Sequence, residues 1–296
     1  MTTHRSRYRI DDARDYSHQF HAGNVGDVWK HCALVEILRR VAAATRRVAY
    51  AETHAGEGFY ALGPTGEWSE GIGRLWASFE AATHGDAVAR YVGLCRRLGA
   101  GRERPTRYPG SPALARDVLG PNAELTLWER DDATFARLAE HTKDDSRVRL
   151  VRGDGLAALG DAISGAEAAA DAQVVLVDPP YTQKADWTLV PDALVRALRN
   201  SRRACVVLWY PVKSLTRPNA MITKLAAAGV TGTIAELVTT PLEHRRRRLN
   251  GSGVLLVRPP DGALEAIAAA APVVGERCAT HAGVWSARIQ AWTGGG

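Results

Sequence analysis

The stretch Val174-Val175-Leu176-Val177-Asp178-Pro179-Pro180-Tyr181 decides how this chain is read. Its apolar, β-branched run predicts a central strand of a parallel sheet, buried on both faces. Two prolines cannot extend a hydrogen-bonded ladder, so the chain leaves the sheet at Pro179. Asp178 therefore stands at the carboxyl end of a strand, the edge where open α/β sheets bind their ligands.

Working outward, further strands are expected at Val48 to Glu52, Leu125 to Glu129, Val148 to Val151, Val206 to Trp209, Gly232 to Val238 and Gly253 to Val257. Helices are expected over Val25 to Ala44, in the runs Arg74 to Ala82 and Ala87 to Leu98, and over Asn219 to Ala228. Alternating strands and helices predict an α/β fold, a mostly parallel central sheet covered by helices on both faces. A stretch of roughly fifty residues, from about Trp68 to Val118 and rich in helix-forming runs, lies between the first two strands. A nucleotide-binding βαβ unit needs only about 30 in all. A small helical subdomain is thus expected to be inserted at residues 67–107, within a main domain of 13–66 and 108–296. Residues 1–12 read as a flexible extension.

Composition sets the broad class. With 296 residues, 46% hydrophobic and 24% charged, the chain has the make-up of a soluble globular protein with a full core. No run approaches the roughly 18 apolar residues of a membrane span, and the polar Met1 to Asp15 segment has no signal-peptide core. Cys32, Cys95, Cys205 and Cys278 are scattered and form no CxxC pair, which argues against zinc or disulfides and fits a reducing cytoplasm. The net charge of +6 favours a polyanionic partner. Its densest cluster, Arg245 to Arg248, is a candidate phosphate contact, although a solvated loop has the same composition.

Acids recur at the ends of the expected strands. Glu52 is followed by Thr53-His54-Ala55-Gly56-Glu57-Gly58, whose glycines let backbone approach a ligand. On its own this acid-and-glycine turn is a weak signal, and it lacks the full dinucleotide fingerprint. Glu129 can accept hydrogen bonds from both hydroxyls of a ribose, and Asp154-Gly155 can place a carboxylate beside an adenine amino group. Singly, each acid is also what a helix cap or a solvated loop contains. Together, Glu52, Glu129, Asp154 and Asp178 close four successive strands along one rim. That order points to a Rossmann-like, class I S-adenosylmethionine (AdoMet) site.

The motif at Asp178 then supplies a reaction. An exocyclic adenine amine is a poor nucleophile, because its lone pair is delocalised into the ring. Asp178 and the Pro179 carbonyl can accept its two N–H bonds and favour a pyramidal nitrogen, and Asp178 can take the proton. Tyr181 offers a ring to stack on an extruded base.

Several segments carry a family resemblance. They are Tyr16-Ser17-His18-Gln19-Phe20-His21-Ala22-Gly23-Asn24 with Asp27, Lys30 and His31; Thr53-His54-Ala55-Gly56; Tyr108-Pro109-Gly110-Ser111-Pro112; Asp178 to Tyr181; Leu208-Trp209-Tyr210-Pro211; and Ser252-Gly253. In order and content the chain resembles the RlmJ family of bacterial 23S rRNA adenine-N6 methyltransferases. The resemblance implies AdoMet contacts at His31, His54, Ser111, Glu129, Asp154, Gly155 and Asp178, with Asp178 as proton acceptor. It also implies that Tyr16, His18 and Lys30 lie near the substrate, an adenine of 23S rRNA not yet buried in assembled ribosomes. Departures from the family pattern are Ser17 where arginine is common, Glu52 for aspartate, the extension at 1–12 and the unusually basic Arg245 to Arg248.

The expectation is thus a cytoplasmic, monomeric enzyme without a metal. A DNA adenine-N6 methyltransferase shares the motif, but no separate target-reading DNA domain is visible. A non-catalytic RNA-binding assembly factor would use the basic run and leave the acids unexplained. A nicotinamide-dependent oxidoreductase is disfavoured by the incomplete glycine pattern.

Overall fold

The structure is a computed structural model that describes residues 18–76, 86–164, 170–199, 201–244 and 249–293. Tyr16, the extension at 1–12 and Arg245 to Arg248 lie outside the described residues.

In chain order the elements begin with α1 (His18–His21), α2 (Val25–Ala44), β1 (Val48–Glu52), β2 (Phe59–Ala61), a 3-10 turn (Glu67–Glu70), α3 (Ile72–Trp76) and α4 (Ala87–Leu98). There follow β3 (Arg107–Pro109), α5 (Ser111–Val118), β4 (Ala123–Glu129), α6 (Asp132–Thr142), β5 (Val148–Arg152), α7 (Leu159–Ser164) and β6 (Ala172–Val177). The chain ends with α8 (Asp186–Leu198), β7 (Cys205–Val212), α9 (Thr216–Ala227), β8 (Gly232–Val238), β9 (Gly251–Val257), α10 (Ala263–Cys278) and β10 (Ser286–Trp292).

Eight strands form one sheet in the order β10-β8-β9-β7-β6-β1-β4-β5. The block β7-β6-β1-β4-β5 is parallel throughout, while β9 runs antiparallel to both β7 and β8, and β10 antiparallel to β8. Side chains alternate between two apolar layers. Val174 and Leu176 of β6 join the layer with α2, α4, α5 and α10. Val175 and Val177 join the layer with α7, α8 and α9. Helices therefore cover both faces, which is why β1, β6 and β9 read as continuous apolar runs rather than alternating ones.

Between β1 and β4, strands β2 and β3 pair as a separate antiparallel ribbon. The chain leaves for the 3-10 turn, α3 and α4 after Ala61 and returns at the paired Arg107, at the same end of the ribbon. Trp76, Val88, Tyr91 and Val92 of this segment are buried in the same apolar layer as α2. Glu36 of α2, with no solvent exposure, ties the layer together. Its carboxylate accepts hydrogen bonds from Arg40 Nε (2.7 Å), Arg39 Nη2 (2.9 Å) and, across to α4, Arg90 Nη2 (2.7 Å).

Burial alone would raise the Glu36 pKa, but hydrogen bonds from Arg39, Arg90 and Arg40 turn the net shift downward from 4.5. Its contribution to stability is accordingly present above the unfolded-state value and lost as pH falls through the folded one. Glu36→Ala strands the three guanidinium groups, and urea unfolding at pH 7 is expected to show a loss of about 3 kcal/mol, the low end for a broken buried pair. That end is chosen because the arginine side chains are 29% to 40% exposed. The gap between wild type and variant should narrow at pH 3; a difference that does not change with pH would rule out the ionic origin.

Candidate active site

From β1 the chain winds one way to β4 and β5, then crosses back to β6 and β7 on the other side of β1. The carboxyl ends of β1 and β6 therefore flank the point where strand order reverses, the crevice in which such sheets bind ligands. A cavity of about 2120 Å³ opens there.

Asp178 lines this cavity directly after β6. Its Oδ2 accepts a hydrogen bond of 2.5 Å from Lys30 Nζ, and Lys30 also reaches Asp27 Oδ1 at 2.9 Å. Lys30 is only 6% exposed. Burial alone would lower its pKa, but the Asp178 and Asp27 carboxylates override that and hold it above the ordinary lysine value. Asp27 is depressed to about 2, the opposing cost of its burial being outweighed by Lys30, His31 and the Gly23 N–H. Lys30 thus bridges two acids, one on its own helix and one on the strand tip.

Tyr181 adopts φ 50°, a left-handed conformation rare for a tyrosine. This turn lays its ring against Trp187 (centroids 4.5 Å apart) and near Trp209 (6.2 Å), while its hydroxyl contacts Met221 Sδ. Trp209 is fixed in turn by an Nε1–H bond of 2.8 Å to Ser252 Oγ, and Lys30 Nζ lies 5.6 Å from its ring centroid. The result is an aromatic wall beside Asp178 and Pro179, shaped for a flat heterocycle.

On the other side of β1, Glu129 also lines the cavity. Its Oε2 accepts the Gly56 N–H (3.0 Å) and its Oε1 the Asp131 N–H (2.9 Å). Each carboxylate oxygen has two lone pairs, so both stay able to accept from a ligand. His54 lines the same space, hydrogen-bonded through Nδ1 to Thr53 Oγ1 (2.8 Å), and burial lowers its pKa. Ser111 opens α5 behind Gly110, an N-cap without a side-chain acceptor, so the first N–H groups of that helix have no side-chain cap.

Two of the four strand-end acids stand elsewhere than the rim reading placed them. Glu52 is fully buried behind the cavity, where it accepts hydrogen bonds from Ser111 Oγ (2.5 Å) and the Tyr50 hydroxyl (3.0 Å). It anchors Ser111 and does not line the cavity. Asp154 is exposed, and its Oδ1 caps the turn that follows by accepting the Leu156 (2.9 Å) and Ala157 (3.1 Å) N–H groups. Gly155 is buried against β1, where a Cβ would lie 2.2 Å from the Thr53 carbonyl oxygen. Of the implied substrate contacts, Lys30 and Tyr181 line the cavity. His18 begins α1, and only its backbone is described.

His31 sits beside Lys30 on α2, 2% exposed. Burial and the Lys30 charge hold its pKa down to about 3, against the pull of Asp27. The imidazole is therefore neutral at pH 7. Its Nδ1 lies 2.6 Å from the Tyr108 hydroxyl, which is 2.8 Å from that of Tyr91. Nε2, on the other side of the ring, is buried with no hydrogen-bond partner among the described residues; it is a donor in the tautomer in which Nδ1 accepts from the Tyr108 hydroxyl. An unpaired buried ring nitrogen in a cavity-lining residue marks a place for a ligand's polar group.

Two residues outside the sequence reading complete the site, Trp187 and Tyr91, together with Tyr108, which that reading quoted only as part of the Tyr108 to Pro112 segment. The only sequence signal of Trp187 and Tyr91 is aromatic character within helical runs, which core residues share.

Comparison with known proteins gives a consistent answer. The family model "Ribosomal RNA large subunit methyltransferase D, RlmJ" matches residues 45–292. The chain belongs to this RsmJ/RlmJ family. A relative from Escherichia coli K12 named ribosomal RNA large subunit methyltransferase J is 32% identical over 251 residues, 83% of this chain and 87% of that protein. A protein of the same name from Haemophilus influenzae is 31% identical with the same coverage. A crystal structure from Legionella pneumophila superposes with a TM-score of 0.83 at 24% identity, covering 93% of this chain and 98% of the other, so the fold is shared over nearly its whole length.

Glu52 gives this site a pH signature. Burial, the largest cause, raises its pKa from 4.5 to about 8 despite the opposing hydrogen bonds of Ser111 and Tyr50. Between those values the unfolded chain has released the proton while the folded one keeps it, so stability falls as pH rises through that window. Glu52→Gln, which resembles the protonated form and does not titrate, is expected to flatten this decline in melting temperature between pH 5 and 8. Parallel profiles for the two proteins would show that Glu52 is ionised in the fold.

Proposed function

We propose that this protein transfers the AdoMet methyl group to the N6 amine of an adenine in 23S ribosomal RNA, acting on free or incompletely assembled RNA in the cytoplasm. The observation that carries the reading is the Asp178-Pro179-Pro180-Tyr181 loop at the strand-reversal point, its carboxylate clamped by Lys30 and flanked by Tyr181, Trp187 and Trp209. The names of the E. coli and H. influenzae relatives support the ribosomal substrate. No described helix is long and apolar enough to cross a membrane.

The residues on the β1–β4 side fit AdoMet. Glu129 suits a ribose diol, and the uncapped first turn at Ser111 together with His31 Nε2 suits a carboxylate. His54 would lie between these and Asp178, while Gly155 would let the β5 loop approach β1. Asp154 would serve through its remaining oxygen. When bound, AdoMet supplies a methyl group already activated on its sulfonium.

The chain supplies alignment and a proton path. Lys30 occupies Asp178 Oδ2, which leaves Oδ1 to accept one N–H of the target amine, and the Pro179 carbonyl accepts the other. Two acceptors draw the nitrogen out of conjugation with the ring. Asp178 then takes the amine proton. The aromatic wall holds the purine after it leaves its stack, an interaction worth about 1–3 kcal/mol. By the family resemblance Tyr16 and His18 lie near the substrate, and Arg245 to Arg248 are the candidate phosphate contact.

The test is incubation of the protein with protein-free 23S rRNA and methyl-labelled AdoMet, followed by mass spectrometry of the nucleosides. N6-methyladenosine is expected. Asp178→Ala should lower turnover by about 100-fold or more while AdoMet affinity changes only a few-fold. Absence of N6-methyladenosine alongside intact AdoMet binding would overturn the reading, and equal losses of turnover and affinity would remove Asp178 from the amine.

A further inference from the structure

The two walls of the cavity differ in charge. Toward α6 the lining mixes signs: Glu57 pairs with Arg137 (2.8 Å), and Glu129 and Asp131 accompany Arg130. Toward β7 and α9 the only acid among the described lining residues is Asp178, which is paired with Lys30. On that side stand Lys213, just past β7, and Arg217, in the first turn of α9. Both are exposed, and neither forms an ion pair with any described residue. Many basic side chains elsewhere are matched instead: Arg97 with Asp117, Arg116 and Arg147 with Asp145, Arg152 with Asp132, Lys224 with Asp192. Between the two free cations, Ser214 lines the cavity and Leu215 is 38% exposed.

We infer that Lys213 and Arg217 form a lip that receives the phosphodiester backbone flanking the extruded adenine, so that single-stranded RNA crosses the β7–α9 side of the mouth. The inference rests on the methyltransferase reading above and adds the direction from which the substrate arrives. The physical case is charge and continuity. A polyanion finds no net attraction at the α6 wall, where Glu57, Glu129 and Asp131 are countered by Arg130, Arg137 and, over the Phe59 ring, Arg107. It is attracted to the wall without a free acid. That wall also runs straight into the aromatic pocket of Tyr181, Trp187 and Trp209, so a base turned inward leaves its own phosphates beside the lip. The apolar face of Leu215 gives an adjoining base or ribose something to rest on. Single-stranded or locally opened RNA is required because the target amine is out of reach inside a stacked duplex.

The test is fluorescence anisotropy with a labelled, adenine-containing single-stranded RNA oligonucleotide over a salt series. The double variant Lys213→Gln/Arg217→Gln is expected to bind about tenfold more weakly at low salt. Its slope of log affinity against log salt should be shallower by about 1.4, the value for two lost single-strand phosphate contacts. AdoMet affinity should stay within twofold, and Lys143→Gln, on the exposed side of α6, should change neither. Unchanged RNA affinity and slope in the double variant would overturn the lip, as would an equal loss in Lys143→Gln or equally tight binding of duplex RNA. If AdoMet affinity also falls in the double variant, the same slope measured in the two single variants decides. Because the readout is binding, it separates from the fate of the functional reading. A wild type that methylates no rRNA overturns the methyltransferase proposal, whereas a wild type that methylates normally beside a double variant with unaltered salt slope overturns the lip alone.

Discussion

The buried ammonium of Lys30, held between Asp178 and Asp27, is the constraint on which the site depends. An isolated buried charge costs several kcal/mol, so Lys30 is tolerable only while both carboxylates stay within reach. That requirement couples two distant parts of the chain. Lys30 belongs to the helix that precedes the first strand, and Asp178 to the loop that follows the strand beside it. The pair fixes where α2 sits over the sheet edge and, with it, where His31 points. It also fixes Asp178 itself, whose Oδ2 is no longer free to turn.

Helix α2 is unusual in carrying the buried polar side chains of Lys30, His31 and Glu36, and they divide along its length. Lys30 and His31 serve the cavity end. Glu36 lies deeper, where Arg39, Arg40 and Arg90 answer it. The two networks act in different directions: one joins α2 to the strand tips, the other joins it to α4. Because α2 is buried on most sides, it has no strong amphipathic stripe, and its polar residues look out of place until their partners are known. The supporting chain from Tyr91 through Tyr108 to His31 links α4 to the cavity, which the β2–β3 ribbon lines directly through Phe59, Tyr60, Ala61 and Arg107. We propose residues 67–107 as an insertion into the methyltransferase fold on this basis, one that shares its core with α2.

Much of the fold was legible because the sheet is buried on both faces. Val48 to Glu52, Val174 to Val177 and Gly232 to Val238 are read as strands at the observed bounds or within a residue or two of them, and α2 at Val25 to Ala44. β10 escaped notice because Ser286–Trp292 mixes polar and apolar residues at an exposed sheet edge. The ribbon of β2 and β3 escaped because three-residue strands leave no periodicity. At the site, Asp178 was readable from the two prolines that end its strand. Glu52 and Asp154 were not, because position at a strand end does not say which way a side chain turns. One faces inward to Ser111 and the other caps its own turn. The orphaned Nε2 of His31 has no sequence signal at all, since it exists only through the placement of Tyr108.

The strand-end acids consequently do different work, and their environments explain why. Glu52, pushed up to about 8 by burial, is a neutral hydrogen-bonding group at pH 7 and adds no charge beneath the site. Asp27 and Asp178 share one lysine, so together they leave the cavity floor with a single net negative charge. Glu129 adds another toward α6. A cationic methyl donor is favoured by that field and its neutral thioether product less so, which helps the product leave. Placing Lys213 and Arg217 across the cavity from Glu129 keeps the polyanion away from that acid. The same sheet edge can then hold a cation and a nucleic acid side by side.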